Sequence, residues 1–118
     1  MKPKGIAILG STGSIGCNTL RVIDSLGSSR FRVVALGAGR NVATLADQVA
    51  LHLPELVAVQ TEEAAHDLRA QLFEKNIDLP RIVIGEAGLV EVATHGDADI
   101  VVSATVGAVG FVPTLRAL

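Results

Sequence analysis

The sequence predicts a doubly wound α/β fold, a mostly parallel sheet with helices on both faces, and three observations carry that reading. Short apolar runs alternate with segments of helical periodicity along the whole chain. The runs have no polar side, as expected of strands that meet no water because helices cover both faces of a parallel sheet. The first of them, Gly5-Ile6-Ala7-Ile8-Leu9, leads straight into a glycine-rich turn, Gly10-Ser11-Thr12-Gly13-Ser14-Ile15-Gly16, which opens a helix. A strand, a glycine turn and a helix in that order make the pattern Rossmann-like.

Each element follows from local signals. Residues 5–10 form the first strand, and Ser14 to Leu26 a helix whose Leu20, Ile23 and Leu26 recur on one face and which stops at Gly27. Phe31-Arg32-Val33-Val34-Ala35-Leu36 is the second strand. Asn41 then caps a helix from about Val42 to Leu53, with Val42, Leu45, Ala46, Val49 and Leu53 on its apolar face. Leu56 to Val59 is the third strand, after which Thr61 caps a helix carrying Glu62 and Glu63 in its first turn and Lys75 near its end, charges that suit the helix dipole. Asn76 stops it. Arg81 to Ile84 is a short strand, Glu86 to Thr94 a short helix, and Asp99 to Ser103 a fifth strand. With no internal repeat or Pro/Gly/Ser-rich linker, residues 1–118 read as one domain. The last residues, Phe111 to Leu118, begin a helix with Pro113 near its first turn and reach no C-cap, so the sequence predicts continuation beyond Leu118.

Composition excludes several classes of function. At 49% hydrophobic and 19% charged residues the chain has the makeup of a folded core and not of a disordered segment. A net charge of -2, with no basic block, argues against a nucleic-acid partner, and 3% aromatic content leaves no stacking platform for single strands. The apolar stretch after Met1-Lys2-Pro3-Lys4 is too short for a signal peptide or a membrane span. A single cysteine, Cys17, forms no internal disulfide and no cysteine-based metal cluster, which fits a reducing cytoplasmic setting.

The chemistry concentrates at two loops. Glycines also serve ordinary turns, but here the turn follows a strand, opens a helix and lies within a β-α-β unit, the context that a dinucleotide pyrophosphate site requires. Gly10 lets the chain leave the strand, Gly13 lets backbone approach the pyrophosphate, and Gly16 lets the helix pack on the sheet. Thr12, Ser14 and Ile15 supply backbone donors. After the second strand the chain reads Leu36-Gly37-Ala38-Gly39-Arg40-Asn41, with no acid to accept from a ribose 2′-hydroxyl. The guanidinium of Arg40 suits a 2′-phosphate, and Gly39 and Asn41 add donors, so NADPH is expected over NADH. Gly107 and Gly110, after the fifth strand, fall on the same crevice side and serve equally as turn glycines.

Other reactive residues carry no role in this reading. His52, His66 and His95 lack the spacing of metal ligands. Cys17 reads as a small helix residue near the dipole's positive end and not as a nucleophile. Glu62 with Glu63, and Asp97 with Asp99, read as solvated carboxylates.

The stretches at 10–16, 31–36 and 38–42, with Gly107-Ala108-Val109-Gly110 leading to Pro113-Thr114, together resemble the 1-deoxy-D-xylulose 5-phosphate reductoisomerases, along their amino-terminal NADPH-binding domain. The resemblance spans the chain. It implies an NADPH-dependent enzyme that converts 1-deoxy-D-xylulose 5-phosphate to 2-C-methyl-D-erythritol 4-phosphate, by rearrangement and then hydride transfer, in non-mevalonate isoprenoid biosynthesis. It also implies a homodimer and a divalent metal, magnesium, manganese or cobalt, holding the substrate oxygens. Cofactor contacts carry over to Thr12, Gly13, Ser14, Ile15, Gly39, Arg40 and Asn41; the position of Arg40 is often lysine in relatives, so the cation is kept. The family's metal ligands, lid and substrate phosphate site have no counterpart among these residues, so the segment alone is expected to bind cofactor without catalysing. Two alternatives stay open: an NADP-dependent semialdehyde dehydrogenase, and a non-catalytic nucleotide-sensing domain.

Overall fold

In a computed structural model, which describes residues 3–27, 30–38 and 41–104, strands and helices alternate along the chain. They are β1 (Lys4–Leu9), α1 (Ser14–Leu26), β2 (Phe31–Gly37), α2 (Val42–His52), β3 (Leu56–Val59), α3 (Glu62–Glu74), β4 (Arg81–Ile84), α4 (Gly85–Ala93) and β5 (Ile100–Ser103). The strands form one sheet in the order β4-β3-β2-β1-β5, and every neighbouring pair is parallel. The chain steps outward from β1 to β4, then crosses back over α4 to place β5 on the free side of β1. That reversal makes a topological switch point between β1 and β5, and in open α/β sheets ligands bind at the carboxyl ends of the strands beside such a point.

Helices cover both faces. Leu20 and Ile23 of α1, Leu45 and Val49 of α2, and Leu68 and Leu72 of α3 share one core with Ile6, Ile8, Val33 and Val57. Val92 and Ala93 of α4 lie in the other, against Ala7, Leu9, Val34 and Ala58. Each fully buried leucine or isoleucine contributes about 1.5–3 kcal/mol from its apolar surface. The β1–β2 register shifts between Ile6 and Ala7, so that Ile6 pairs with Val33 but Ala7 with Ala35. The extra residue puts Val34 and Ala35 on the same face and returns Leu36 to the other, a bulge that no periodicity argument foresees.

Helix ends follow the expected signals with three exceptions. Asn41 Oδ1 accepts from the Thr44 amide at 3.1 Å, Thr61 Oγ1 from the Ala64 amide at 3.1 Å, and Asn76 turns left-handed after α3. Leu26 was expected on the core face but is 43% exposed, because it is the last helical residue before the chain turns at Gly27. Leu53 was expected there as well and is 58% exposed: as the C-cap of α2 it adopts φ 51°, which swings its side chain off the helix face. Lys75 lies just past the last turn of α3, and its Nζ pairs with Asp47 of α2 at 3.0 Å.

At the amino ends of the strands, Asp99 is not the purely solvated acid its sequence context implied. Its carboxylate accepts from the Gly5 amide at 2.8 Å while its own amide donates to the Gly5 carbonyl, and this double tie sets β5 alongside β1. The helix expected from Pro113 onward lies outside the described residues. Among the described residues no helix is long and apolar enough to cross a membrane.

Candidate functional site

The turn at 10–16 sits at the carboxyl end of β1, where Leu9 is in register with Gly37 of β2 on one side and Ser103 of β5 on the other. The Gly37 carbonyl accepts from both the Gly10 amide, at 2.7 Å, and the Ser11 amide, at 3.0 Å, so the turn is pinned to the end of β2 as it leaves β1. Gly10 has φ 81°, which side chains disfavour, and the Gly13 amide donates back to its carbonyl at 3.2 Å.

The three glycines differ in what surrounds them. A Cβ on Gly16 would land on the Gly10 carbonyl oxygen and within 2.6 Å of the Ser11 Cα, so glycine lets α1 start directly against the turn. At Gly13, which is exposed with φ -76° and ψ 172°, a Cβ would meet, among the described residues, only the Gly10 oxygen, at 3.6 Å. Among the described residues nothing requires glycine at 13. The open side of this position faces solvent, which suits close approach by a ligand.

Gly13 is the N-cap of α1, which has no side-chain cap and no acid in its first turn. The first helical bond is the one from the Cys17 amide to the Gly13 carbonyl, 2.8 Å, so the amides of Ser14, Ile15 and Gly16 precede any intrahelical acceptor. Together with the helix dipole they make a partial positive charge suited to a phosphate. Thr12 is half-buried, Ser14 is exposed, and Ile15 is 62% exposed beside them. An uncapped helix start behind an open glycine fits a pyrophosphate.

The second loop leaves β2 beside the first. Asn41 is exposed, and with its Oδ1 engaged in capping α2, its side-chain NH₂ is what it can offer a ligand. Gly39 and Arg40, expected to hold the 2′-phosphate, lie outside the described residues. So do Gly107, Ala108, Val109, Gly110, Pro113 and Thr114. The Ala104 amide, just after β5, donates to the Leu9 carbonyl at 2.8 Å and brings the chain to the crevice.

Behind the turn lies a group that sequence reasoning missed. Ser11 is wholly buried, and its carbonyl accepts from Gln48 Nε2 at 2.7 Å. The same nitrogen reaches Cys17 Sγ at 3.6 Å, and that thiol lies 3.6 Å from the carbonyl oxygens of both Ser11 and Thr12. Gln48 is 8% exposed and stands among Leu45, Ala46 and Val49. A polar residue three positions after Leu45, on a core face, was the available signal.

The histidines do not form a metal centre with this site. Glu55, His95 and Asp97 come together, their ligand-type atoms all within 4.8 Å of one another. His95 Nε2 pairs with Glu55 at 3.3 Å and its Nδ1 accepts from the Asp97 amide at 3.1 Å, which engages both ring nitrogens; Glu55 also pairs with Arg32 at 3.2 Å. The cluster sits at the amino ends of the strands, a strand length or roughly 20 Å from the glycine turn. It ties β2, β3 and the turn after α4. His66 is exposed, and burial holds the His52 imidazole below its ordinary pKa of 6.5, with Asp24 opposing that shift.

The family model described as 1-deoxy-D-xylulose 5-phosphate reductoisomerase matches residues 6–118. Among curated relatives of that name, the Symbiobacterium thermophilum protein is 50% identical over 116 residues, 98% of this chain and 30% of the relative. The Synechocystis protein is 49% identical over 115 residues, 98% and 29%. The chloroplastic protein of Mentha piperita is 47% identical over 118 residues, 98% and 24%. Two solved structures superpose closely. DOX-P reductoisomerase in complex with NADPH, fosmidomycin and magnesium gives a TM-score of 0.85 at 34% identity, covering 97% of this chain and 27% of that one. The Zymomonas mobilis reductoisomerase in complex with NADPH gives 0.84 at 33%, covering 99% and 30%. The chain thus spans under a third of the length of these relatives.

Proposed function

The chain belongs to the 1-deoxy-D-xylulose 5-phosphate reductoisomerase family, and from that premise we propose that it forms the NADPH-binding portion of such an enzyme, residues 1–118 acting as its cofactor domain. The observation that carries the reading is the uncapped start of α1 behind the open Gly13, at the switch point between β1 and β5. Amides at Thr12, Ser14 and Ile15 hold the pyrophosphate, which Gly13 lets approach the backbone. Gly39, Arg40 and the Asn41 amide hold the 2′-phosphate end, and the guanidinium sets the preference for NADPH over NADH.

In the whole enzyme the cofactor supplies the hydride that follows rearrangement of 1-deoxy-D-xylulose 5-phosphate, giving 2-C-methyl-D-erythritol 4-phosphate. A divalent metal, magnesium, manganese or cobalt, holds the substrate oxygens there. No residue of 3–104 is assigned to it, since the Glu55, His95 and Asp97 group lies at the far end of the sheet and is internally paired. The same reading makes the enzyme a cytoplasmic homodimer acting on a small phosphorylated sugar. Family membership sets aside the semialdehyde dehydrogenase alternative.

The test of catalysis is a chimera in which this chain replaces the matching amino-terminal segment of the Synechocystis relative. The expected result is NADPH-dependent turnover of 1-deoxy-D-xylulose 5-phosphate. A folded chimera that binds NADPH without turnover contradicts the enzymatic reading and favours a nucleotide-sensing domain.

A further inference from the structure

Building on the NADPH reading, we infer that Gln48 is a positioning residue, which fixes the peptide between Ser11 and Thr12 so that the Thr12 amide faces the cofactor's pyrophosphate. In a trans peptide the C=O and N–H point in opposite directions. Gln48 Nε2 holds the Ser11 carbonyl from the buried side at 2.7 Å, which turns the Thr12 N–H toward the outer side, where the start of α1 is open. A flipped peptide would present a carbonyl oxygen to an anion instead. The amide orientation of Gln48 is set by the same contact, because its Oε1 in that place would oppose another acceptor.

Packing alone does not explain a glutamine here. Gln48 Oε1 and Ser11 Oγ are both buried without a partner among the described residues, a cost that an apolar side chain of similar volume would avoid. The return on that cost is the donated bond. Gln48 lies two turns after Asn41 on α2, so the same helix carries the support of the pyrophosphate turn and the cap of the 2′-phosphate loop.

Two substitutions in the full chain test the inference. Gln48→Met keeps the volume and removes the donor; its NADPH dissociation constant, by calorimetry, is expected to rise about ten-fold, the loss of roughly one hydrogen bond. Backbone amide exchange at Thr12 and Gly13 is expected to quicken while far-ultraviolet circular dichroism is unchanged. Gln48→Glu adds a signature that a packing role does not produce. Its neutral carboxyl group can donate to the Ser11 carbonyl and its ionised form repels it, so affinity for acid-stable NADP⁺ is expected to improve on acidification beyond any change in the parent.

Parent-like affinity in Gln48→Met overturns the inference, as does a parent-like pH profile in Gln48→Glu. Should Gln48→Met not fold, the Gln48→Glu profile decides. If the parent binds no NADPH, the proposed function fails on its own, while unchanged amide exchange in Gln48→Met separately overturns the role of Gln48 in holding the turn.

Discussion

Gly16 stands directly against Gly10: a Cβ at residue 16 would overlap the Gly10 carbonyl oxygen. Helix α1 therefore begins in backbone contact with the turn that precedes it. The obstacle is main chain on both sides and cannot move aside as a side-chain tip would. Gly16→Ala is expected to destabilise the chain by about 1–3 kcal/mol in urea unfolding, and to weaken NADPH binding with it.

Gly13 separates binding from folding. Its extended backbone accepts a side chain, and a Cβ there would make only ordinary contact with the Gly10 oxygen. Gly13→Ala is expected to shift stability by no more than about 0.5 kcal/mol, yet to raise the NADPH dissociation constant about ten-fold or more, near 1.4 kcal/mol, because in the proposed site the added methyl would stand where the cofactor approaches. Paired urea melts and calorimetric titrations of the two glycine variants check the contrast.

In the proposed function, Arg40 carries the choice of cofactor. The stretch from Gly37 to Asn41 has no carboxylate, so on that proposal a 2′-phosphate would meet a guanidinium and no repelling acid. A charged hydrogen bond of this kind is worth about 1.5–3 kcal/mol, so Arg40→Ala is expected to weaken NADPH about 10–100-fold while leaving NADH nearly unchanged. Competition titrations with the two cofactors read the ratio.

His52 ties stability to pH. Burial lowers its folded-state pKa, so as pH falls through the ordinary value of 6.5 the unfolded chain takes up a proton that the folded chain resists. The contribution of His52 is present above that value and is lost as pH falls through the folded-state pKa. Asp24 opposes the shift without reversing it. His52→Gln is expected to narrow the difference in urea midpoint between neutral and mildly acidic solution, as parallel denaturation series at the two pH values measure.

Asp99 offers a control far from the cofactor. Its bond to the Gly5 amide joins β5 to β1 at the edge opposite the glycine turn. Asp99→Ala is expected to cost about 1–2 kcal/mol in unfolding and to leave the NADPH dissociation constant of the folded chain unchanged.

What the sequence made legible was local. The caps at Asn41 and Thr61, the stop at Asn76 and the strand–turn–helix at 5–26 depend on residues a few positions apart, and each lies where its neighbours dictate. The turn at Gly10 was readable for the same reason, whereas Gly16, expected to let the helix pack on the sheet, instead makes room for the Gly10 and Ser11 backbone of the turn. The rest depended on distant partners or on fine backbone geometry. Gln48 meets Ser11 across 37 positions and Asp99 meets Gly5 across 94. The bulge opposite Ile6 and Ala7 breaks the two-residue period, and the left-handed turn at Leu53 takes that side chain off a face that periodicity had given it. Arg40 remains a reading of charge and position, since residues 39–40 are not among those described.

The central claim is that the turn at 10–16 and the loop at 39–41 form one NADPH site. Calorimetric titration of the chain with NADPH and with NADH, in parent and Arg40→Ala forms, tests it most directly. Saturable binding of NADPH, tighter than NADH in the parent and near equality in the variant, is the predicted result. Absence of NADPH binding by the folded chain, or equal affinity for the two cofactors in the parent, would contradict it.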